Sequence, residues 1–415
     1  MGRQSGFTKL ETLPSGGRVH IVGAGPVGLL LAAFLQSVDG FSVHLYEKRP
    51  SYTRTRQVQL APYLLADSIE SYSADVIDGD TVGAVFDPTE LEKGLAFRQS
   101  LPADLKALLR QWTLGFCPLN AIESALSDLI DSRRSNPVQR TEGVLTAEEA
   151  IALLEPGDIL IDCTGANSLL RDHLALGSGE VERDANTMKV RLEYALVVTF
   201  LYGRNYECNE YCKYYKNVEN PSYKFIPMVH RTHSDGDVTH VTGIVTISDE
   251  EYEAMPSRFD GKWLSGNFPG VAESIDRFID KIKAETDGEL IGDLEIVRIP
   301  LNLYRARNAT SREWRDAGPD DHPLASSPVF LCGDSAIGSP YFQSISLGFE
   351  CAGFLMGLIA QHDRLPLRDM FDRYELFAYK QWLRVYMRSK TIYHNKQLLE
   401  RVDDKHALLE KLHIY

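Results

Sequence analysis

Three glycines near the N-terminus, Gly23, Gly25 and Gly28, have the residue type and the spacing to bind a diphosphate. They form the pattern G-x-G-x-x-G between an apolar run at residues 19–22 and a second apolar run suited to a helix. In this pattern the first glycine permits a tight turn, the second lets the backbone approach the phosphates, and the third lets helix and strand pack closely. The diphosphate then lies at a helix N-terminus, where backbone N–H groups favour an anion.

An acidic residue completes this pattern. Residues 43–46 predict a second strand, which ends at Glu47, 19 positions after Gly28. An acid at this distance hydrogen-bonds the adenosine ribose of a bound dinucleotide. A glycine-rich turn without a ligand is the alternative, but strand, helix, second strand and acid in this order favour dinucleotide binding. The predicted contacts of the motif are Gly23, Gly25, Pro26, Val27, Gly28, Glu47 and Lys48.

Two further motifs follow at a distance. Residues 158–171 predict a buried strand and a turn after it, and residues 329–336 predict a late strand that ends in Gly333-Asp334 and continues into small residues. The three motifs together resemble those of the class A flavoprotein monooxygenases, the p-hydroxybenzoate hydroxylase-like family. They are also similar to those of the related MICAL monooxygenase domain. The resemblance extends from about residue 18 to about residue 360.

The resemblance implies that the bound dinucleotide is FAD. In this family the acid of the late motif binds the ribityl chain, a role that falls to Asp334, and the next helix directs its N-terminus at the flavin ring. An arginine in the loop after the second strand reaches the diphosphate. Arg54 and Arg56 are the candidates, although a solvated basic loop is the alternative. Further cofactor contacts that the resemblance implies are Gly165, Gly333, Pro340 and Gly348.

The sequence departs from the family pattern at three places. Thr164 stands where the middle motif has an aspartate that the family associates with NAD(P)H use and flavin movement. After Pro340 the Gly-x-Gly-x-Asn run of the family is replaced, and the helix that opens with arginine in the family opens here with Leu119-Asn120. The resemblance therefore supports the flavin site more strongly than the handling of NAD(P)H.

The resemblance also implies a reaction. NAD(P)H reduces FAD, the reduced flavin captures O2 as a C4a-hydroperoxide, and this species hydroxylates or epoxidises a small organic substrate, aromatic or a secondary metabolite. The protein has to hold the flavin, exclude water and place the substrate near the ring, so neither a nucleophile nor a metal is expected. The sequence does not identify catalytic residues.

Other function classes fit parts of the same pattern. A flavin-dependent reductase or dehydrogenase that acts on a small molecule without oxygen insertion is the main alternative, and a non-catalytic flavin-bound protein is another. A flavin-dependent halogenase would carry a Trp-x-Trp-x-Ile-Pro run, which the tryptophans at positions 112, 263, 314 and 382 do not form. Oxidation of a protein side chain, as by MICAL proteins, is disfavoured because no calponin-homology or LIM domain accompanies the motifs.

The residue composition changes near residue 187, where runs rich in β-branched and aromatic residues predict antiparallel strands. We predict an α/β fold with a Rossmann-like FAD-binding domain, an inserted antiparallel β-sheet substrate domain and C-terminal helices. The predicted ranges are 1–186 and 305–369 for the FAD-binding domain, 187–304 for the substrate domain and 370–415 for the helices. The clearest predicted elements are helices at 119–130, 148–154, 249–253 and 271–285 and strands at 159–162, 188–200, 223–229, 238–247 and 294–304.

Candidate substrate contacts come from position alone. The resemblance implies that the segment after Gly333-Asp334 runs beneath the flavin, which makes Tyr341, Phe342 and Gln343 candidates. An arginine or tyrosine on the inserted sheet could orient a phenol or a carboxylate, and each such residue is individually more often a packing or surface residue. The candidates there are Arg191, Tyr194, Tyr223, Phe225 and Tyr304.

Composition limits the partners. The chain has 44 basic and 58 acidic residues, and its net charge of −14 disfavours nucleic acid and anionic membranes. No apolar run is long enough to predict a membrane span. The six cysteines suit a reduced cytoplasm, and Cys208 and Cys212 lack a second pair at zinc spacing, so no metal is expected. Two apolar stripes at helical spacing within residues 370–415 predict packing inside the chain or a homodimer interface.

Overall fold

The computed structural model describes residues 11–13, 16–54, 57–58, 60–65, 101–115, 117–177, 181–204, 223, 225–231, 238–339 and 344–401. In chain order the strands are β1 (Arg18–Val22), β2 (Ser42–Glu47), β3 (Gln57–Val58), β4 (Cys117–Pro118), β5 (Gln139–Glu142), β6 (Ile159–Asp162), β7 (Thr187–Tyr202), β8 (Phe225–Arg231), β9 (Thr239–Ile247), β10 (Arg258–Asp260), β11 (Leu290–Ala306), β12 (Val329–Leu331) and β13 (Ile337–Gly338). The helices are α1 (Pro26–Leu35), α2 (Ala103–Thr113), α3 (Leu119–Ser132), α4 (Ala147–Ala152), α5 (Asp249–Ala254), α6 (Gly261–Asn267), α7 (Pro269–Thr286), α8 (Arg312–Ala317), α9 (Pro323–Ser326), α10 (Ser344–Ile359) and α11 (Leu367–Arg401).

The chain forms two units. The first joins residues 1–190 with 303–388, and the second joins residues 191–302 with 389–415. The predicted helices and strands named above are all confirmed, with ends that differ by a few residues; β6 matches the prediction at both ends, and β11 begins at Leu290 instead of 294. The predicted domain ranges remain predictions.

The first unit is built on a sheet in the strand order β12-β6-β1-β2-β5. Its neighbouring strands run parallel. The inner strand β6 is buried along its whole length, as parallel strands covered on both faces usually are. The edge strand β5 has only exposed polar side chains, which discourages pairing with another chain. Because the strands are parallel, the ends of β1, β2, β6 and β12 that carry the sequence motifs lie at one edge of the sheet.

Helix α1 joins β1 to β2 and is buried almost entirely. Every residue from Gly28 to Leu35 is buried, and a helix that is apolar all round is a core helix. Pro26 opens the first turn, where its missing N–H costs no hydrogen bond. The helix contacts α3 and α10, so it is held on the sheet from two sides.

The second unit is an antiparallel sheet in the order β10-β11-β7-β9-β8. Helix α7 covers one of its faces, since its Val271, Ile275, Phe278 and Ile282 recur at helical spacing and are buried. These side chains form one hydrophobic core with alternate residues of β7, namely Tyr194, Leu196, Val198, Phe200 and Tyr202.

Helix α11 accounts for the first of the two C-terminal stripes. Its members are buried in this chain, so the stripe packs intramolecularly; they are Phe371, Tyr374, Ala378, Trp382 and Val385. The side chains of the second stripe, from Leu398 to Leu412, lie outside the described residues. A homodimer interface therefore remains a prediction. No helix within the described residues combines the length and the hydropathy needed to cross a membrane.

A buried histidine in β1 makes the stability of the first unit dependent on pH. The side chain of His20 is 2% exposed, with its Nδ1 at 3.0 Å from the Tyr46 hydroxyl and its Nε2 at 3.4 Å from Asp158. Burial lowers the pKa of His20; Asp158 opposes this effect, and His44 and Arg18 add to it.

We expect the free energy of unfolding to fall as the pH drops below about 6.5. In that range the unfolded chain takes up a proton at position 20 that the folded chain resists, so stability is greater above about pH 6.5 and is lost below it. His20→Gln removes the titrating group. Urea unfolding at about pH 8 and about pH 5 should therefore show a smaller stability difference between the wild-type chain and the variant at the lower pH. An equal difference at both would contradict this prediction.

Candidate dinucleotide site

The glycine-rich turn between β1 and α1 has no room for side chains at two positions. Gly23 adopts φ +100°, and a Cβ atom there would lie 2.6 Å from the carbonyl oxygen of Cys163. A Cβ atom on Gly28 would lie 2.0 Å from the carbonyl oxygen of Gly23. Gly25 is the N-cap of α1 in an extended conformation and, as a glycine, has no side chain to cap the first turn of the helix. The N–H groups of this turn are therefore available to an anion.

Glu47 ends β2 beside this turn. Its Oε2 accepts a hydrogen bond from the Ala24 N–H at 2.8 Å, and its Oε1 accepts from the Arg49 N–H and Nε, both at 3.0 Å. Burial raises the pKa of Glu47, but the hydrogen bonds and charge of Arg49 outweigh burial and leave the pKa lowered. Glu47 is therefore an ionised acceptor next to the glycines. The predicted neighbour Lys48 is exposed.

Arg54 lies over the same turn. Among the described residues, its Nη2 is the only atom within 4 Å of a Cβ built on Gly25, at 3.5 Å. The same nitrogen pairs with Glu123 of α3, whose side chain is fully buried. Of the two predicted diphosphate arginines, Arg54 is thus placed beside the glycine turn, and Arg56 lies outside the described residues.

The middle motif is folded around the buried carboxylate of Asp162, at the end of β6. Asp162 accepts hydrogen bonds from the hydroxyls of Thr164 at 2.6 Å, Ser168 at 2.6 Å and Ser335 at 3.1 Å, and from two backbone N–H groups. Gly165, with φ +92°, donates its N–H to the Ser335 hydroxyl at 3.2 Å. Hydrogen bonds therefore link the middle motif to the late motif. The Thr164 hydroxyl stabilises the turn after β6 through its hydrogen bond to Asp162.

The late motif packs against the start of α1. Cβ atoms built on Gly333 and Gly348 would lie 3.2 Å and 2.7 Å from Cγ2 of Val27. The half-buried Asp334 accepts a hydrogen bond from the Tyr304 hydroxyl on its carbonyl oxygen, at 2.8 Å. Residues of the first and late motifs, far apart in the sequence, thus meet at Val27.

Tyr304 has a different setting from the one expected of a substrate contact. Its half-buried ring lies under the Arg171 guanidinium at 5.0 Å and against Gly338. Burial and the nearby Asp334 raise its pKa. The side chain supports the backbone of the late motif and belongs to the first unit.

The other candidates on the inserted sheet divide by exposure. Phe225 is fully buried against Phe278 in the core on the helix side of the sheet, and Tyr194 lies on that side as well and stacks on Tyr252 at 3.9 Å. This corrects the expectation for Phe225 and Tyr194: both are core residues here, because the even-numbered positions of β7 and their partners face α7. The alternation of large apolar and smaller residues along β7 is the signal that was missed.

Two candidates keep polar groups near solvent. The Arg191 side chain is 57% exposed and donates to the Tyr194 hydroxyl at 2.5 Å. Tyr223 donates its hydroxyl to Glu251, and this bond, with burial, raises the pKa of Tyr223 to about 12. The predicted contacts Pro340, Tyr341, Phe342 and Gln343 lie outside the described residues.

Three residues that position the site were missed in the sequence. Arg49 stands two residues after Glu47, and Glu123 is a charge among the apolar positions of α3. Arg171 donates to the carbonyl oxygens of Ser335 and Ala166. A charged residue on the buried stripe of a helix is the one available signal, and it applies to Glu123. Within the described ranges no group of three or more His, Cys, Asp or Glu residues is arranged to hold a metal ion.

Comparison with known proteins bears on the fold. Residues 21–58 match a family model described as an NAD(P)-binding Rossmann-like domain, and no curated protein matches the sequence. Among solved structures the chain is similar to BexE, from studies of oxidation during BE-7585A biosynthesis, with 13% identity, a TM-score of 0.50, and 95% of this chain and 75% of that chain covered.

Two further structures are similar at lower TM-scores. CabE, an aromatic hydroxylase from angucycline biosynthesis, has 15% identity and a TM-score of 0.45, with 95% of this chain and 75% of that chain covered. CmlS, a flavin-dependent halogenase, has 14% identity and a TM-score of 0.46; 90% of this chain is covered, and the chain spans 62% of the length of CmlS.

At these identities the likeness concerns the fold. The Rossmann-like match and the fold shared with BexE confirm the predicted α/β fold class, and the MICAL link remains a prediction. The matched residues 21–58 include the glycines of the first motif, and the fold is the one shared with BexE.

Proposed function

We propose that this chain is an FAD-dependent monooxygenase that uses NAD(P)H and O2 to hydroxylate or epoxidise a small organic substrate, aromatic or a secondary metabolite. The observation that carries the proposal is the convergence on Val27, where the glycine turn of the first motif touches Gly333 and Gly348 of the late motif. A dinucleotide that lies along α1 would then have its adenosine half near Glu47 and its flavin half near Asp334. When bound, the flavin supplies hydride acceptance and the activation of O2.

The residues present fit a dinucleotide. Above Gly25 the described chain leaves open space that is bordered by the Arg54 guanidinium, and this suits the oxygens of a diphosphate. The first turn of α1 offers N–H donors, and Glu47 offers an ionised acceptor for ribose hydroxyls. The site therefore has donors where the ligand is anionic and an acceptor where it carries hydroxyls.

The middle motif supports this site. The Asp162 carboxylate holds the turn that begins at Thr164 against Ser335, so a neighbouring ring would rest on a fixed backbone. On the substrate side we propose Arg191 and Tyr223 as contacts, because both keep polar groups near the surface. Tyr341, Phe342 and Gln343 are proposed from their sequence position alone.

The purified protein should be yellow and should contain one non-covalent FAD per chain. Burial raises the pKa of the Cys163 thiol, and Cys332 beside it is buried, so neither favours attachment to the flavin. The flavin spectrum before and after acid precipitation tests this expectation. A colourless protein that does not take up added FAD would overturn the proposal.

Turnover distinguishes the reaction class. With NAD(P)H and a panel of aromatic and secondary-metabolite substrates under 18O2, a monooxygenase gives a product that is heavier by one labelled oxygen. Substrate-dependent NAD(P)H oxidation without label in the product would instead support the reductase or dehydrogenase alternative. A chlorinated or brominated product in the presence of halide would indicate halogenase chemistry.

We also expect slow flavin reduction by NADH or NADPH when no substrate is bound. Thr164 replaces the acid that the family associates with flavin movement, and its hydroxyl is bonded to Asp162. A substrate can shift the flavin between two positions only by its differential affinity for them. Stopped-flow reduction should therefore be more than tenfold faster with substrate, a change of at least about 1.4 kcal/mol in the barrier. Equal rates would reject gating by substrate.

A further inference from the structure

We propose that the Arg49 guanidinium moves from Glu47 to Glu123 when a dinucleotide binds, so that the buried Glu123 determines how well Glu47 binds the ribose. The inference rests on the proposed dinucleotide site. It concerns one residue, Glu123, which acts through an arginine.

Glu47 already has as many donors as it can accept. An ionised carboxylate offers about four acceptor positions. Four donors surround it: the N–H of Ala24 at 2.8 Å, and the N–H, Nε and Nη2 of Arg49 at 3.0, 3.0 and 3.3 Å. A ribose hydroxyl can therefore bond to Glu47 only if a donor leaves. The two backbone N–H groups are fixed by the turn, so the Arg49 side chain is the donor that can move.

Glu123 offers a second place for that side chain. Its carboxylate is fully buried, and one oxygen, Oε1, contacts Arg54 and lies 3.6 Å from Nη2 of Arg49. The other oxygen, Oε2, has no hydrogen-bond partner in the part of the chain that the structure describes, and the same holds for Oδ1 of Asn120 one turn earlier on α3. A buried acceptor without a partner is unfavourable. The Glu123 carboxylate, with one oxygen unpaired and the other near Arg49, can therefore accept this guanidinium.

The exchange keeps the arginine charge paired. Arg49 is partly buried, and leaving Glu47 with no other carboxylate to receive it would leave an uncompensated charge. With Glu123 present, Arg49 passes from one carboxylate to another while ribose hydroxyls take its place on Glu47. Without Glu123 the arginine would stay on Glu47 and compete with the ribose. Glu123 is thus a positioning residue with a specific effect on ribose recognition.

The test compares the binding of ADP and of 2′-deoxy-ADP to the full-length chain freed of bound nucleotide, by isothermal titration calorimetry. The ratio of the two Kd values reports the ribose contact separately from the diphosphate contact, which both probes share. In the wild-type chain we expect ADP to bind about tenfold tighter or more, the effect of a hydrogen bond to a charged group. In Glu123→Gln we expect the ratio to fall below about threefold.

A second variant, Arg49→Met, is tested in the same way. It frees Glu47 permanently, so the ratio should equal or exceed the wild-type ratio, and in the Glu123→Gln background it should restore that ratio. Asp131 lies on the same helix as Glu123 and pairs with Arg140 of β5, so Asp131→Asn is the matched control and should leave the ratio unchanged. If Glu123→Gln does not fold, Arg49→Met alone decides, because a ratio below that of the wild-type chain would overturn the exchange.

The outcomes separate this inference from the proposed function. If ADP does not bind to the wild-type chain, the dinucleotide site and the exchange both fail. If ADP binds and the ratio is the same in Glu123→Gln as in the wild-type chain, only the exchange is overturned. A loss of affinity for both probes with an unchanged ratio would assign Glu123 to the support of Arg54 and also reject the exchange.

Discussion

Gly28→Ala should abolish binding of FAD and lower the melting temperature of the chain. The added methyl group would lie 2.0 Å from the carbonyl oxygen of Gly23 and 3.3 Å from Cβ of Cys163. Neither neighbour can move away on its own, because Gly23 is itself held in a left-handed conformation against Cys163. Overpacking in a core costs about 1–3 kcal/mol, and a clash with a backbone oxygen lies at the upper end or above it.

The matched control for this substitution is Gly266→Ala in α6. Beyond its own helix and neighbours, no atom of the described residues lies within 4 Å of a Cβ built on Gly266, and alanine is favoured over glycine inside a helix by about 1 kcal/mol. Calorimetric unfolding and FAD titration of both variants should therefore give opposite results, with a loss at Gly28 and no loss at Gly266. A Gly28→Ala protein that folds and binds FAD like the wild-type chain would show that the turn does not approach its ligand as described.

Glu47→Ala and Asp334→Ala should each weaken FAD binding by about 1.5–3 kcal/mol, or roughly 10- to 150-fold. The first removes the ionised acceptor that we propose for the ribose, and the second removes the acid that we propose for the ribityl chain. Glu47 ends β2 and Asp334 lies in the turn after β12, and both are only half-buried, so the fold should survive. Fluorescence titration with FAD measures the loss.

Glu142→Ala is the control for the acid at position 47. Glu142 is paired with Glu47 across β2 and β5, and its side chain is exposed. Its removal changes the net charge by the same amount without touching the glycine turn. Wild-type affinity in both Glu47→Ala and Asp334→Ala would mean that the motif assignments are incorrect.

Features that depend on a local sequence pattern could be predicted from the sequence. The strand at 159–162 and the helix that begins at residue 119 follow from short apolar periodicities, and the structure has them as β6 and α3. The glycine turn was also predictable, since its strained conformation and close contacts require residues without side chains. In each case the cause lies within about 20 residues of the effect.

Features that depend on distant contacts could not be predicted. The pairing of Arg54 with Glu123 joins residues 69 positions apart, and the bond from Ser335 to Asp162 joins residues 173 positions apart. In neither pair does the sequence around one residue identify the distant residue that it contacts. Tyr194 and Phe225 were selected by residue type, and the structure shows that the face of the sheet, which depends on where α7 packs, decides their role.

The position of β12 in the sheet has a consequence for synthesis of the protein. Its residues 329–331 pair with β6, whose residues 159–162 leave the ribosome long before them. Until then β6 has an unpaired edge formed by Ile159, Leu160 and Ile161, which is the kind of apolar edge that promotes association between nascent chains. Contacts of such long sequence separation form slowly. The part of the proposed site that the late motif forms is therefore completed only after most of the polypeptide has been translated, and we expect cofactor loading to be a late event in its biogenesis.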